Sequence, residues 1–195
     1  MMAEQTHIDL RDRIVDAARE LFVARGYIGI SMREIAEAVG VSKAALYYHF
    51  RDKESLFLAV LFADLADLGR CVETARAASS QVEERVRAIA ASILSLPPER
   101  RAIIRLVSQE MAQLSEDARR SFHGMYQDLF INPLGDVLAE GIARGELKPV
   151  DPGQLTWILL GMMYPFFYPA HAAELGDPMA SVDLIVDVFF HGVGA

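Results

Sequence analysis

Apolar side chains return every three or four positions along most of this chain, and the strict alternation that marks a half-buried strand is almost absent. A chain written in that period buries itself as packed helices, so the predicted fold class is all-α. Start and stop signals cut the pattern into about nine helices. The first spans residues 9–25, with Leu10, Ile14, Ala17, Ala18, Leu21 and Phe22 on one face, and Gly26 ends it. Ser31-Met32-Arg33-Glu34 reads as a capping box that opens a short second helix, with Ile35, Ala36 and Val39 turned inward and Gly40 as its stop. Ser42 caps a third, residues 43–49, and Asp52 caps a long fourth, residues 53–78, whose stripe is Leu56, Val60, Ala63 and Ala66. Helices over 82–95 and 99–114 follow, separated by Pro97-Pro98. Ser115 caps another that runs to Arg144, with a kink expected near Ile131 because of Pro133. Asp151-Pro152 and Asp177-Pro178 open the last two, residues 152–174 and 178–192.

The 195 residues suffice for a sizeable core, and 52% hydrophobic content is too high for a disordered chain. The single cysteine, Cys71, excludes an internal disulfide, and no cysteine cluster offers a structural zinc site. Residues 1–10 carry Glu4 and Asp9 and lack the apolar centre of a signal peptide, so a cytoplasmic location is expected. The uncharged stretch 152–173 holds Gln154, Thr156, Pro165, Pro169 and His171, which favours a buried helix over a membrane span. The net charge of −8 is not that of a protein that coats nucleic acid, yet it is unevenly placed. Residues 1–54 are nearly neutral, at −1, and 41–53 hold Lys43, Arg51 and Lys53 against Asp52 alone. An anionic partner belongs at that end.

The segment 31–54 carries the sharpest chemistry. Two short capped helices meeting at a glycine form a helix-turn-helix pattern. Ile35, Ala36, Val39, Leu46 and Phe50 are left to pack it, while Ser42, Lys43, Tyr47, Tyr48 and His49 offer hydrogen-bond donors on the second short helix. Lys53 and the N–H groups after Asp52 add a positive helix end that favours phosphate oxygens, and Ser31, at the start of the second helix, is counted with these DNA-contact candidates. Three consecutive residues such as Tyr47-Tyr48-His49 cannot all face a core.

The same stretch resembles the N-terminal region of the TetR family of bacterial transcriptional regulators. The resemblance covers roughly residues 13–60 and rests on Ala17-Ala18-x-x-Leu21-Phe22, Gly26-Tyr27, Ile35-Ala36-x-x-Val39-Gly40-Val41-Ser42 and Leu46-Tyr47-Tyr48-His49-Phe50-x-x-Lys53-Glu54-x-Leu56. It implies a three-helix DNA-binding head, residues 1–54, and a helical body for ligand binding and dimerisation, residues 55–195. It further implies DNA-backbone contacts from Tyr47 or Tyr48, His49 and Lys53, with Ser42, Lys43, Ala44 and Tyr47 at the groove-facing end. Ala44 stands where relatives often carry a polar residue, and its methyl suits a thymine methyl.

In the body, Met111, Phe122, Met125, Tyr126, Phe130, Trp157, Met162, Met163, Phe166 and Phe167 supply adaptable apolar surface, expected to line a pocket for a largely apolar ligand. Gln109, Glu110, His123, Tyr126 and Gln127 are candidates to orient that ligand. The last two helices are apolar on more than one face, and Leu155, Ile158 and Met162 with Leu184 and Val188 are expected to form the seam of a homodimer. Neither a phosphate-binding glycine loop nor a nucleophile motif is present, and the five histidines are dispersed, so no catalysis, cofactor or metal is expected. The function read from all this is a transcriptional regulator, a repressor, that leaves an inverted-repeat operator on double-stranded DNA when a small-molecule effector binds. A helical small-molecule binding protein without sequence-specific DNA binding stays open beside it, as does a membrane-associated protein using 152–173.

Overall fold

The computed structural model describes residues 2–97, 100–101, 107, 109–168, 171 and 174–193. Among the described residues the regular structure is helical, without a strand. The α-helical segments are α1 (Met2–Arg25), α2 (Met32–Val39), α3 (Lys43–His49), α4 (Lys53–Ala78), α5 (Val82–Leu94), α6 (Glu116–Tyr126), α7 (Asn132–Ala143), α8 (Pro152–Met163) and α9 (Val182–His191). A π-helical stretch, Gln127–Ile131, joins α6 to α7 without a break, so the two form one continuous helix. Of the helix expected over 99–114, residues 99, 102–106 and 108 lie outside the described residues, 100–101, 107 and 109–110 are helical, and its end, Met111–Gln113, is a 3-10 turn.

By packing, the chain divides into two units: Met1–Asp64 with Ala102–His123, and Leu65–Arg101 with Gly124–Ala195. The packing boundary therefore falls inside α4, and residues 102–123 return to the first unit.

In the first unit, Ile14, Ala18 and Phe22 of α1, Ile35 of α2, Leu46 of α3 and Leu56, Phe57 and Val60 of α4 form one core, which Leu114 and Ala118 join. Phe57 anchors it, edge-on to Phe22 at 5.0 Å and 5.1 Å from Tyr27 between ring centroids. A buried ion pair, Arg19 Nε to Asp64 Oδ1 at 3.0 Å, fixes α1 against α4. Desolvation of both charges offsets much of what such a pair adds to stability. Gly40 closes α2 in the left-handed conformation, φ +75°. Its N–H donates to Glu37 O at 3.2 Å and that of Val41 to Ala36 O at 3.0 Å, a Schellman closure that turns the chain directly into α3.

In the second unit, α5 packs on α7 and α9, α7 on α8, and α8 on α9. Val82, Val86, Ile89, Leu134, Leu138, Leu159 and Val186 are its buried residues of note. Arg85, itself buried, donates to Ser79 O at 2.6 Å and to Glu140 Oε2 at 2.5 Å.

The structure refines several expectations. The stripe of α4 is wider than Leu56, Val60, Ala63 and Ala66. Phe57, Leu61, Leu65 and Leu68 are buried while the two alanines are only half-buried, because this helix serves one core with its first half and another with its second. The kink expected near Ile131 takes the form of the π-helical stretch. Proline lacks an N–H and crowds the carbonyl four residues back, here Leu129. That carbonyl faces Gly69 so closely that a Cβ there would lie 2.4 Å from it. The helix expected over 152–174 ends at Met163, and Pro165 leaves a 3-10 turn, Tyr164–Phe167. Asp177 does cap, accepting from Met179 N–H at 3.0 Å, but the turn it opens, Pro178–Ser181, is 3-10, and α9 begins at Val182.

Candidate nucleic-acid interface

The surface built by α2, α3 and the start of α4 follows from three caps. At Ser31 the backbone N–H and the hydroxyl both donate to the Glu34 carboxylate, at 2.9 and 2.6 Å, and the Glu34 N–H donates back to Ser31 Oγ at 3.3 Å. These bonds, with Arg25 paired to Glu34 at 2.8 Å, hold the Glu34 carboxyl at about 2 instead of 4.5. Arg25 closes α1, so the pair also joins the end of one helix to the start of the next. At Ser42 the hydroxyl accepts from Ala45 N–H at 3.1 Å and starts α3. At Asp52 the carboxylate accepts from Ser55 N–H at 2.7 Å, and its pKa is lowered chiefly by that bond.

Leu46 is the one fully buried residue of α3, and its neighbours are consequently displayed. Tyr48 is 76% exposed and Tyr47 43%. Lys43 Nζ lies 5.6 Å from the centre of the Tyr47 ring, which holds the ammonium over an aromatic face. His49 is half-buried, with Tyr48 edge-on to it at 5.4 Å. Ser42 and Ala44 are exposed. An open groove of about 540 Å³ runs along this face, lined by Ile28, Ser31, Arg33, Lys43, Tyr47 and Lys53 among others. Four expected DNA-contact residues, Ser31, Lys43, Tyr47 and Lys53, thus share one groove. Ser42, Ala44, Tyr48 and His49 do not line it.

Lys53 has a role that the sequence did not announce. Its Nζ donates to Tyr27 O at 2.7 Å and to Ile30 O at 3.0 Å, and it sits 4.3 Å from the centre of the Tyr27 ring. Desolvation lowers its pKa, against the pull of Glu110. An ammonium has three N–H donors, so the two carbonyls do not exhaust it. Ile28 and Arg33 also line the groove and were missed. Arg33 carried a signal, being the basic residue inside the capping box. Ile28, 67% exposed, carried none.

The expected pocket residues divide between the two units. Met111 and Phe122 pack against the core of the first. Met125, Tyr126, Phe130, Met162 and Phe166 belong to the second, where the Tyr126 ring lies 6.1 Å from Phe130 and 6.2 Å from Trp157. Burial pushes the Tyr126 phenol up to about 12. Glu110, a candidate ligand-orienting group by sequence, instead accepts the Tyr27 N–H at 3.2 Å. Of the expected seam, Ile158 and Leu184 are exposed, at 53% and 63%. Leu155, Met162 and Val188 are half-buried, and the neighbouring Leu159 and Ile185 are buried. No helix among the described residues is long and apolar enough to cross a membrane, and α8 stops well short of one.

Comparison with known proteins bears on this surface directly. Residues 14–60 match the family model described as bacterial regulatory proteins, tetR family, and residues 79–165 match that described as tetracyclin repressor-like, C-terminal domain. The HTH-type transcriptional repressor AcnR of Corynebacterium efficiens is 40% identical over 65 residues, 33% of this chain and 35% of that one. The chain thus aligns with about a third of the length of that curated relative. Two solved structures share the fold over most of the chain. FadR from Bacillus subtilis in complex with stearoyl-CoA has a TM-score of 0.77 at 20% identity, covering 93% of this chain and 98% of that one. AibR in complex with isovaleryl coenzyme A and operator DNA has a TM-score of 0.75 at 24% identity, with the same coverage. The two family models together account for the helix-turn-helix surface and for much of the helical body behind it in sequence, and the chain belongs to the TetR family of bacterial regulatory proteins.

Proposed function

We propose that this protein is a cytoplasmic, homodimeric transcriptional repressor, whose residues 1–54 bind an inverted-repeat operator and whose residues 55–195 take the effector and dimerise. The observation that carries the reading is the display on α3. One leucine is buried, while Lys43, Tyr47 and Tyr48 stand exposed beside a groove that also holds Ser31 and Lys53. Hydrogen-bond donors of this kind contact phosphate oxygens, and a short exposed helix presents side chains to base edges in a major groove. Tyr47, Tyr48, His49, Ser31 and Lys53 serve the backbone, with Ser42, Lys43 and Ala44 at the groove-facing end.

The effector is proposed as an acyl thioester of coenzyme A, taken by its apolar chain. Support comes from two proteins of this fold whose structures hold stearoyl-CoA and isovaleryl coenzyme A. Met125, Tyr126, Phe130, Met162 and Phe166 are of the type that moulds to such a chain. The effector acts by preferring a conformation that does not match the operator, and must bind the two states unequally to do so.

A labelled duplex pool titrated with protein at rising salt tests the reading. The affinity should fall log-linearly with salt, and stearoyl-CoA should release the DNA. Absence of DNA binding at low salt would contradict the first half, and indifference to stearoyl-CoA the choice of effector.

A further inference from the structure

The described residues of the stretch 102–123, namely 107 and 109–123, pack with the first unit, although the chain on either side, 65–101 and 124 onward, belongs to the second. Two acid-anchored contacts hold this excursion to the helix-turn-helix unit. Ser115 donates from its N–H and its hydroxyl to the two oxygens of Glu54, at 2.7 and 2.8 Å. Glu110 accepts the Tyr27 N–H through Oε1 at 3.2 Å. The second contact bears on the groove. Tyr27 lies in the loop between α1 and α2, and its carbonyl is the one that Lys53 grips at 2.7 Å. The peptide groups on either side of Tyr27 are therefore held by opposite charges, Glu110 on the N–H and Lys53 on the C=O. The loop leaves room for this: at Gly26, φ +73°, a Cβ would lie 2.7 Å from Glu110 Oε1. A few residues on, the same loop supplies Ile28, Ile30 and the cap Ser31 to the groove.

We propose that Glu110 is a positioning residue for DNA binding: it reaches 83 residues back along the chain to fix the Tyr27 loop, and through it the Ser31 side of the groove. The proposal rests on the DNA-binding reading above. It gives the excursion a purpose, because a segment joined at both ends to the second unit then grips the element that shapes the DNA-facing groove.

Electrostatics and positioning predict opposite signs for removal of the carboxylate. Glu110 is an anion near a surface meant for phosphate, so as a mere charge its loss strengthens DNA binding. As the acceptor that fixes the loop, its loss weakens binding. The experiment measures affinity for a duplex that the wild-type protein selects from a random pool, together with amide hydrogen exchange at Tyr27 in the free protein. Glu110→Ala is expected to weaken binding about tenfold and to speed exchange at Tyr27, in keeping with a lost charge-assisted hydrogen bond. Glu110→Gln keeps an acceptor without the charge, and is expected to bind within about twofold of wild type or tighter. Should Glu110→Ala fold poorly, Glu110→Asp, one methylene shorter, carries the same test with a smaller loss. Binding as tight as wild type in both Glu110→Ala and Glu110→Asp overturns the proposal and leaves the DNA-binding reading intact. A wild-type protein that selects no duplex overturns both.

Discussion

At the scale of single residues, charge and hydrogen-bond donors on α3 and α4 are the quantities to perturb. Tyr48→Phe removes a hydroxyl from the most exposed aromatic of α3 and should weaken binding to all duplexes alike, as loss of a backbone contact does. Lys43→Ala and Lys53→Ala should each flatten the plot of log affinity against log salt by roughly one unit, the signature of one phosphate charge. Lys53→Ala should also speed amide exchange in the loop 27–30, because Nζ holds two of its carbonyls, and Lys43→Ala should not. An unchanged slope for Lys53→Ala would leave it with the loop alone. Glu34 supplies a pH test. Its folded pKa, about 2, lies below the unfolded 4.5, so its contribution is present in full above the unfolded value and is lost as pH falls toward 2. The gap in urea midpoint between wild type and Glu34→Gln should shrink across that window. A gap constant from pH 6 to about 2 would remove the ionised capping box from the account. The caps at Ser31, Ser42 and Asp52 were legible because each is local in sequence. Lys53 on Tyr27 and Glu110 on Tyr27 were not, since nothing in a local pattern announces a partner 26 or 83 residues away.

At the scale of elements, spacing read helix against strand correctly, and caps and glycines located most of the ends. It failed where one helix serves two packing environments. The α4 stripe was drawn for a single face, and the helix buries more than one. Prolines marked the right places but not the right geometry. Pro133 gave a π-helical stretch and Pro165 a 3-10 turn, because each lost N–H is accommodated by whatever local winding the neighbouring packing allows. The π-helical stretch yields a paired prediction. Gly69→Ala would put a Cβ 2.4 Å from the Leu129 carbonyl, a backbone atom that cannot swing aside, and should destabilise by about 1–3 kcal/mol. Gly124→Ala, in α6 with nothing within 4 Å, should stabilise by about 0.5–1 kcal/mol. Denaturant unfolding of the two variants measures both. Equal effects would mean that the contact between α4 and the π-helical stretch is looser than described.

At the scale of the whole molecule, the dimer seam and the operator are the claims at stake. The sequence marked α8 and α9 as apolar all round, and the structure divides those faces. Leu159 and Ile185 are buried within the chain, while Ile158 and Leu184 stay exposed. Ile158→Asp combined with Leu184→Asp should give monomers by sedimentation equilibrium, since a two-fold seam meets each buried charge twice. Dimers that persist would place the interface on other surfaces. The division at residue 54 was drawn from the family resemblance and from the uneven placing of charge. The excursion 102–123 was invisible to that reading, because a return of the chain to an earlier unit leaves no composition mark. The most direct test of the central claim is a hydroxyl-radical footprint on the duplex that the wild-type protein selects. Two protected half-sites related by a two-fold axis are predicted, their centres about one helical turn apart, ~34–36 Å, or somewhat more. Both should vanish together in a Lys43→Ala, Tyr47→Ala double variant. A single asymmetric site, or a footprint unchanged in that variant, would contradict the assignment of the α2–α3 surface to operator DNA.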